Sequence, residues 1–309
     1  MRKQADERGT AGQGRTMPQV PGVTHRHVTV HQGTQDAAQL HVAETGTGPA
    51  LLLLHGYLQH WYAWRRVLPL LAGDYRLVCA DLRGFGWSEQ TRRGYDIASL
   101  AGDLSALIDV LDIGPALVLG DDLGARVAMR LAQRAPERAA GLVTLGVNHP
   151  YPARRVMLAN LRRMWFTAFL EYPVAGEMVL RHWPAFTRFL LRRGAADPRS
   201  WPAEDLAEFV AAARASAHAG QQVLWQMVVK DMPGLLHPGH PAPNLELPVL
   251  LLAGDRDKIT PPSLLDGDQS MAPHLTTQIL PGCGHHLPIE APEAVANATR
   301  TFASQLSLS

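Results

Sequence analysis

Three segments of the 309-residue chain carry side chains able to do covalent chemistry. In Gly120-Asp121-Asp122-Leu123-Gly124, small residues flank two acids between an apolar run and a helical pattern. That is the setting of a nucleophile elbow, a tight strand-to-helix turn that holds its central side chain out at the end of a sheet. The central residue is Asp122, not serine. A carboxylate that attacks carbon makes an alkyl ester, which suits opening an epoxide or displacing a halide. The simpler alternative is that Gly120 ends a strand and one of the acids only caps the helix. A second segment, Leu250 to Asp257, is an apolar run that ends in acids, and Asp257 there can orient a histidine and stabilise its imidazolium. The third, Gly282-Cys283-Gly284-His285-His286, sets two histidines in a glycine-rich loop before the last helix. Asp122, Asp257 and His285 thus follow one another as nucleophile, acid and base. Any one of them alone could be an ordinary loop residue; three at the ends of successive expected strands are a catalytic triad.

Two further loops would complete such a site. His55-Gly56-Tyr57 follows an apolar run, and the backbone N–H of Tyr57 can supply half of an oxyanion hole, with the N–H of Leu123 as the other half. Asp81 to Ser88 follows the next run; its glycines suit a tight loop beside a pocket, and Asp81 and Arg83 read as structural partners.

The elements that must position these loops are visible as changes of texture. Residues His27 to His31 and Leu40 to Glu44 alternate apolar and polar, as two antiparallel edge strands would. Ala50 to Leu54, Leu77 to Ala80, Ala116 to Leu119, Leu142 to Val147 and Val249 to Ala253 are continuous apolar runs, the signature of parallel strands buried on both faces. Helical patterns lie between them, at Ile97 to Leu111 and Ala125 to Ala135, so the chain reads as a doubly wound α/β domain. The alternation stops near Asn148 and resumes near Leu247; between them are helical stretches with Trp165, Trp183, Trp201 and Trp225, broken by prolines. This interval reads as a helical insertion over one end of the sheet, and Pro292 to Leu306 as a closing helix.

Composition excludes several functions. With 29 basic against 28 acidic side chains and a net charge of +1, the chain has no field to attract phosphate, so no nucleic acid partner is expected. No apolar run approaches the roughly 20 residues of a membrane helix, so no membrane partner is expected either. Residues 1–24 are polar and read as a disordered extension without a signal peptide, with Met17 as an alternative start. Two cysteines, Cys79 and Cys283, make no disulfide framework and no metal-ligand spacing, in keeping with a cytoplasmic protein that needs no cofactor or metal. The partner expected is a small-molecule substrate, with the chain a monomer or homodimer.

Taken together the motifs resemble the α/β-hydrolase superfamily, in its branch of epoxide hydrolases and haloalkane dehalogenases. His55 to Arg65 is similar to the epoxide hydrolase pattern HGxPxxWYxWR, Asp81 to Ser88 to DxRGxGxS, and Gly120 to Gly124 to GHDxG, and the likeness spans about residues 25 to 305. It implies a mostly parallel eight-stranded sheet with helices on both faces, a core of residues 25–148 and 238–309, and a helical cap of residues 149–237. It also implies that Asp122 attacks a substrate carbon and that His285, held by Asp257, activates the water that cleaves the ester.

The chain departs from the family at the other end of the reaction. Epoxide hydrolases use two cap tyrosines to hold and protonate the epoxide oxygen. Where the first is expected, Trp165 is followed by Phe166, and where the second is expected the run is Leu224-Trp225-Gln226. Trp165, Phe166, Trp225 and the cap's Tyr172 are the candidate substrate-binding residues. Leu58 replaces the proline of HGxP, which calls for a different turn, and Asp121 replaces the histidine before the nucleophile, its side chain expected to point away from the reaction. Haloalkane dehalogenases place a tryptophan after the nucleophile, and Leu123 stands there instead. Fluoroacetate dehalogenases resemble the chain through Arg126, which matches one of their two carboxylate-binding arginines, although an arginine on this helix is more simply read as a structural ion pair. An epoxide hydrolase-like reaction on an apolar substrate, a haloalkane or haloacid dehalogenase, and a non-catalytic binder on the hydrolase fold are the three readings. The intact triad argues against the third.

Overall fold

In a computed structural model, residues 14–153, 155–156, 159, 167–199, 201–231 and 244–306 are described. Eight strands form one sheet in the order β1-β2-β4-β3-β5-β6-β7-β8. They are β1 (Thr24–Val30), β2 (Ala38–Thr45), β3 (Ala50–Leu54), β4 (Arg76–Ala80), β5 (Ala116–Asp121), β6 (Ala139–Leu145), β7 (Val249–Gly254) and β8 (Leu275–Leu280). From β4 to β8 every pairing is parallel, while β2 runs antiparallel to both β1 and β4. Only β1 of the two alternating segments is therefore an edge; β2 lies inside the sheet, and its residues Leu40 to Ala43 are all buried.

The continuous apolar runs follow from what covers the two faces. Successive side chains of a strand point to opposite faces. Leu52 and Leu54 join Val78, Val118 and Leu251 in one core, and Leu51 and Leu53 join Leu77, Leu119 and Leu252 in another. Helices α2 (Ile97–Leu111) and α3 (Leu123–Arg134) pack into the first core; α1 (Leu68–Leu71), α9 (Leu287–Glu290) and α10 (Pro292–Gln305) pack into the second. Asp96 starts α2 by accepting the Ser99 N–H on its side chain, as the capping position requires.

Between β6 and β7 the described chain includes α4 (Ala168–Glu171), α5 (Ala175–His182), α6 (Pro184–Gly194), α7 (Ala203–Ala215) and α8 (Ala217–Gln226), which runs on into a π-helical turn, Met227–Asp231. They share a small apolar cluster, including Leu170, Leu180, Leu190 and Ala217, that reaches down to Leu58 of the core. Residues 14–24 correct the expectation of a disordered extension. Met17, Val20 and Val23 pack against the second core, and Arg15 pairs with Glu208 at 2.5 Å and lies 4.7 Å from the centre of the Trp87 ring. The rest of that extension lies outside the described residues. Both cysteines are free and buried. No described helix is long and apolar enough to cross a membrane.

Candidate active site

The site is assembled at the carboxyl ends of the parallel strands, where ligands gather in open α/β sheets. β5 runs into Asp122, whose backbone has φ 44° and ψ −102°, and the chain turns at once into α3. Such a conformation costs an L-residue of order 1–3 kcal/mol and is found where surrounding structure enforces it. The enforcement is steric: a Cβ at Gly120 would meet Ala125 Cα at 2.6 Å, and one at Gly124 would meet the Leu54 carbonyl oxygen at 2.5 Å. The Asp122 side chain makes no capping bond to α3. The helix-cap reading of this acid is thereby excluded.

The Asp122 carboxylate is held by one oxygen. Oδ2 accepts the Tyr57 N–H at 3.1 Å, while Oδ1 faces His285 Nε2 at 3.9 Å, beyond a direct hydrogen bond. Leu123, the other expected donor, is the first residue of α3, where a backbone N–H has no acceptor within the helix. Across from Asp122, His285 Nδ1 lies 2.8 Å from Asp257 Oδ2, so Nδ1 carries a proton to a carboxylate. The other oxygen of Asp257 accepts the Ile259 and Thr260 N–H groups at 2.7 and 2.8 Å.

These neighbours set the charges. Burial alone would lower the pKa of His285, but the charge and hydrogen bond of Asp257, with Asp122 and Asp121 near, raise it from 6.5 to about 10. Burial would likewise raise that of Asp257, and the His285 charge with its hydrogen bond and the two amides holds it below the ordinary carboxylate range. His285 thus lies between two acidic side chains that favour its charged form. His286 is different in kind. Its Nε2 donates to the Leu191 carbonyl at 2.9 Å and its Nδ1 accepts from Gln59 Nε2 at 3.3 Å, an assignment that follows from the partners, and burial lowers its pKa to about 4. His285 is thus the histidine facing Asp122, and His286 is neutral and committed.

The loops behind the site are structural. His55 donates Nδ1–H to the Gly56 carbonyl at 2.9 Å and accepts the Leu82 N–H on Nε2 at 3.0 Å, tying the β3 loop to the β4 loop. Asp81 accepts the Trp61 and Trp87 amides at 2.7 and 2.9 Å, and Arg83 Nε donates to Asp103 at 2.7 Å. Leu58 has φ 63°, a value the proline of HGxP cannot adopt, so the turn here is of another kind. Asp121 is buried with Oδ1 unpartnered among the described residues, and burial raises its carboxyl well above the ordinary range. Its Oδ2 lies behind the loop, 3.0 Å from where a Gly56 Cβ would stand.

A cavity of about 110 Å³ opens over Asp122 and His285, and the helices between β6 and β7 line it with aliphatic side chains, among them Leu170, Leu190, Leu191, Val223 and Leu224. The cap candidates fare differently from the triad. Tyr172 is 65% exposed and does not line the cavity. Trp225 is half-buried on α8 and outside the lining, because Val223 and Leu224 take the inward positions of that helix. Trp165 and Phe166 lie outside the described residues. Arg126 does line the cavity, and among the described residues its guanidinium makes no hydrogen bond or ion pair. The Tyr57 side chain and Thr167 also line it; neither was singled out from sequence, where Tyr57 entered only through its amide.

The family model described as alpha/beta hydrolase fold matches residues 49–292, and the chain belongs to that family. The soluble epoxide hydrolase of Corynebacterium sp. (strain C12) is 28% identical over 306 residues, covering 90% of this chain and 98% of that protein. A fluoroacetate dehalogenase of Burkholderia sp is 36% identical over 138 residues, 41% of this chain and 44% of that enzyme. The solved structure of the epoxide hydrolase CorEH superimposes with a TM-score of 0.77 over 92% of this chain and 99% of its own, a likeness of fold at 24% identity. The protein is a hydrolase of this family, and its resemblance lies with the epoxide hydrolase branch.

Proposed function

We propose that the protein opens epoxides on a small to medium apolar substrate through an ester on Asp122. One observation carries the reading: an aspartate in a strained elbow has one oxygen on a backbone donor and the other turned toward a histidine. Oδ1 attacks the less hindered ring carbon, and Oδ2 becomes the ester carbonyl, with the Tyr57 N–H supplying the oxyanion contact. Ester formation removes the Asp122 charge that helps hold the proton on His285, so this proton can pass on to balance the oxygen released by ring opening, leaving a neutral imidazole to act as base. His285 then takes a proton from water as its oxygen attacks the ester carbon, and Asp257 stabilises the imidazolium that forms. The aliphatic cavity favours an apolar substrate body.

The place of Arg126 in the cavity lining supports a second reading, a dehalogenase acting on a substrate with a carboxylate, since a guanidinium beside an apolar cavity favours an anionic group. The same experiment separates the two. His285→Ala is incubated with epoxides, haloalkanes and 2-haloacids, and the protein is analysed by mass spectrometry. An adduct accumulating on Asp122 from epoxides is the expected result; one from haloacids alone selects the second reading. Labelling of another residue, or no adduct from any class, overturns the mechanism.

A further inference from the structure

The ring oxygen of an epoxide leaves carbon as an alkoxide, and some group must give it a proton. Among the described residues the cavity offers few. Thr167 donates its hydroxyl proton to Glu171 Oε1 at 2.7 Å, His286 has its one N–H on the Leu191 carbonyl, and Arg126 is a cation that does not give up a proton. Tyr172 stands in solvent and Trp225 outside the lining. His285 faces Asp122 Oδ1, the attacking oxygen, and in-line opening carries the ring oxygen away from that side. There remains the phenol of Tyr57. This residue holds Asp122 Oδ2 with its own amide at 3.1 Å, and its side chain lines the cavity and reaches α8, where the hydroxyl donates to the Gly220 carbonyl at 3.2 Å. That bond is longer than the 2.5–3.0 Å usual for O–H···O, so it holds the phenol in place without committing its proton strongly.

Resting on the ester reading above, we propose that Tyr57 is a catalytic residue whose hydroxyl protonates the departing epoxide oxygen, a donor supplied from the core in place of the cap. The step balances. Asp122 Oδ1 forms a bond to the ring carbon as the carbon–oxygen bond breaks; its electron pair goes to the ring oxygen, which takes the phenolic proton and leaves a phenolate. The imidazolium of His285, no longer facing a charged Asp122, returns a proton to the phenolate through the cavity. Both the acid and the neutral base needed for hydrolysis are thereby regenerated. Burial, Asp122 and Glu171 all raise the proton affinity of the Tyr57 phenol, which keeps it protonated until an alkoxide forms beside it.

The test uses Tyr57→Phe, which keeps the amide and the ring, in the His285→Ala background where the ester persists. Alkylation of Asp122 by 1,2-epoxyhexane and by 1-bromohexane is timed by mass spectrometry, since bromide leaves without a proton. The epoxide-to-bromide rate ratio is expected to fall about 100-fold or more, the range of general acid catalysis. A ratio unchanged by the substitution overturns the proposal while leaving the ester reading intact. With Tyr57 present, absence of any Asp122 adduct defeats both. As a second variant, 3,5-difluorotyrosine at position 57 is expected to move the alkaline limb of epoxide alkylation to lower pH. A limb that stays in place marks the phenol as structural and also overturns the proposal.

Discussion

The sheet edge and the cap look into one cavity but are built on different terms. At the sheet edge each member of the triad is fixed by backbone: Asp122 by the elbow and the Tyr57 amide, Asp257 by two amides, and His285 by its own N–H to the Gly194 carbonyl at 2.8 Å. The cap contributes mostly aliphatic side chains, and its aromatic candidates Tyr172 and Trp225 are turned elsewhere. The difference separates two halves of the reaction. On the proposed mechanism, attack on carbon and hydrolysis of the ester depend on groups held by the sheet, whereas stabilisation of the leaving oxygen depends on what faces them. The cap can therefore change its lining without disturbing the triad.

Substitutions that break this contrast should rank accordingly. Asp122→Ala removes the nucleophile, and turnover of any substrate is expected to fall by at least about 10⁴-fold, as triad losses do, measured as steady-state kcat. Asp257→Ala leaves His285 buried without its partner, and should cost about 3–5 kcal/mol of stability in denaturant unfolding as well as most of the activity. The pair also makes stability depend on pH. Because the pKa of His285 is raised to about 10 in the folded protein, its contribution is full below its ordinary 6.5 and is lost as the pH rises through about 10. Asp257, lowered, contributes above its ordinary 3.8 and loses that contribution on acidification. Thermal midpoints should therefore fall on the alkaline side more steeply for the native protein than for His285→Gln, and equal slopes would contradict the assignment. At the small end, Trp225→Phe and Tyr172→Phe should change stability by no more than about 0.5 kcal/mol and leave turnover nearly unaltered. A large loss of activity from either would return the leaving-group contact to the cap.

The same contrast governed what could be read from the residues alone. β3, β4, β5 and β7 were legible because burial on both faces makes their central residues a continuous apolar run, and the elbow because only glycine tolerates the contacts at 120 and 124. β8 was missed: its inner four residues, Thr276 to Ile279, are exposed at the sheet's edge, so no apolar run marks it. The cap was the least legible part. One residue along a helix turns a side chain by about 100°, so Leu224 lines the cavity and Trp225 does not, and nothing in the composition of α8 tells them apart. Tyr57 was visible as an amide donor but not as a phenol, because the direction of its side chain depends on a loop in which Leu58 takes a positive φ.

The central claim is that the oxygen delivered to substrate comes first from Asp122. A single turnover of excess native enzyme with the epoxide it opens fastest, run in ¹⁸O-water, tests it directly. The account requires an unlabelled diol after the first turnover and ¹⁸O in the peptide that contains Asp122; label in the first diol, with none in that peptide, would show that water attacks the substrate and that no ester forms.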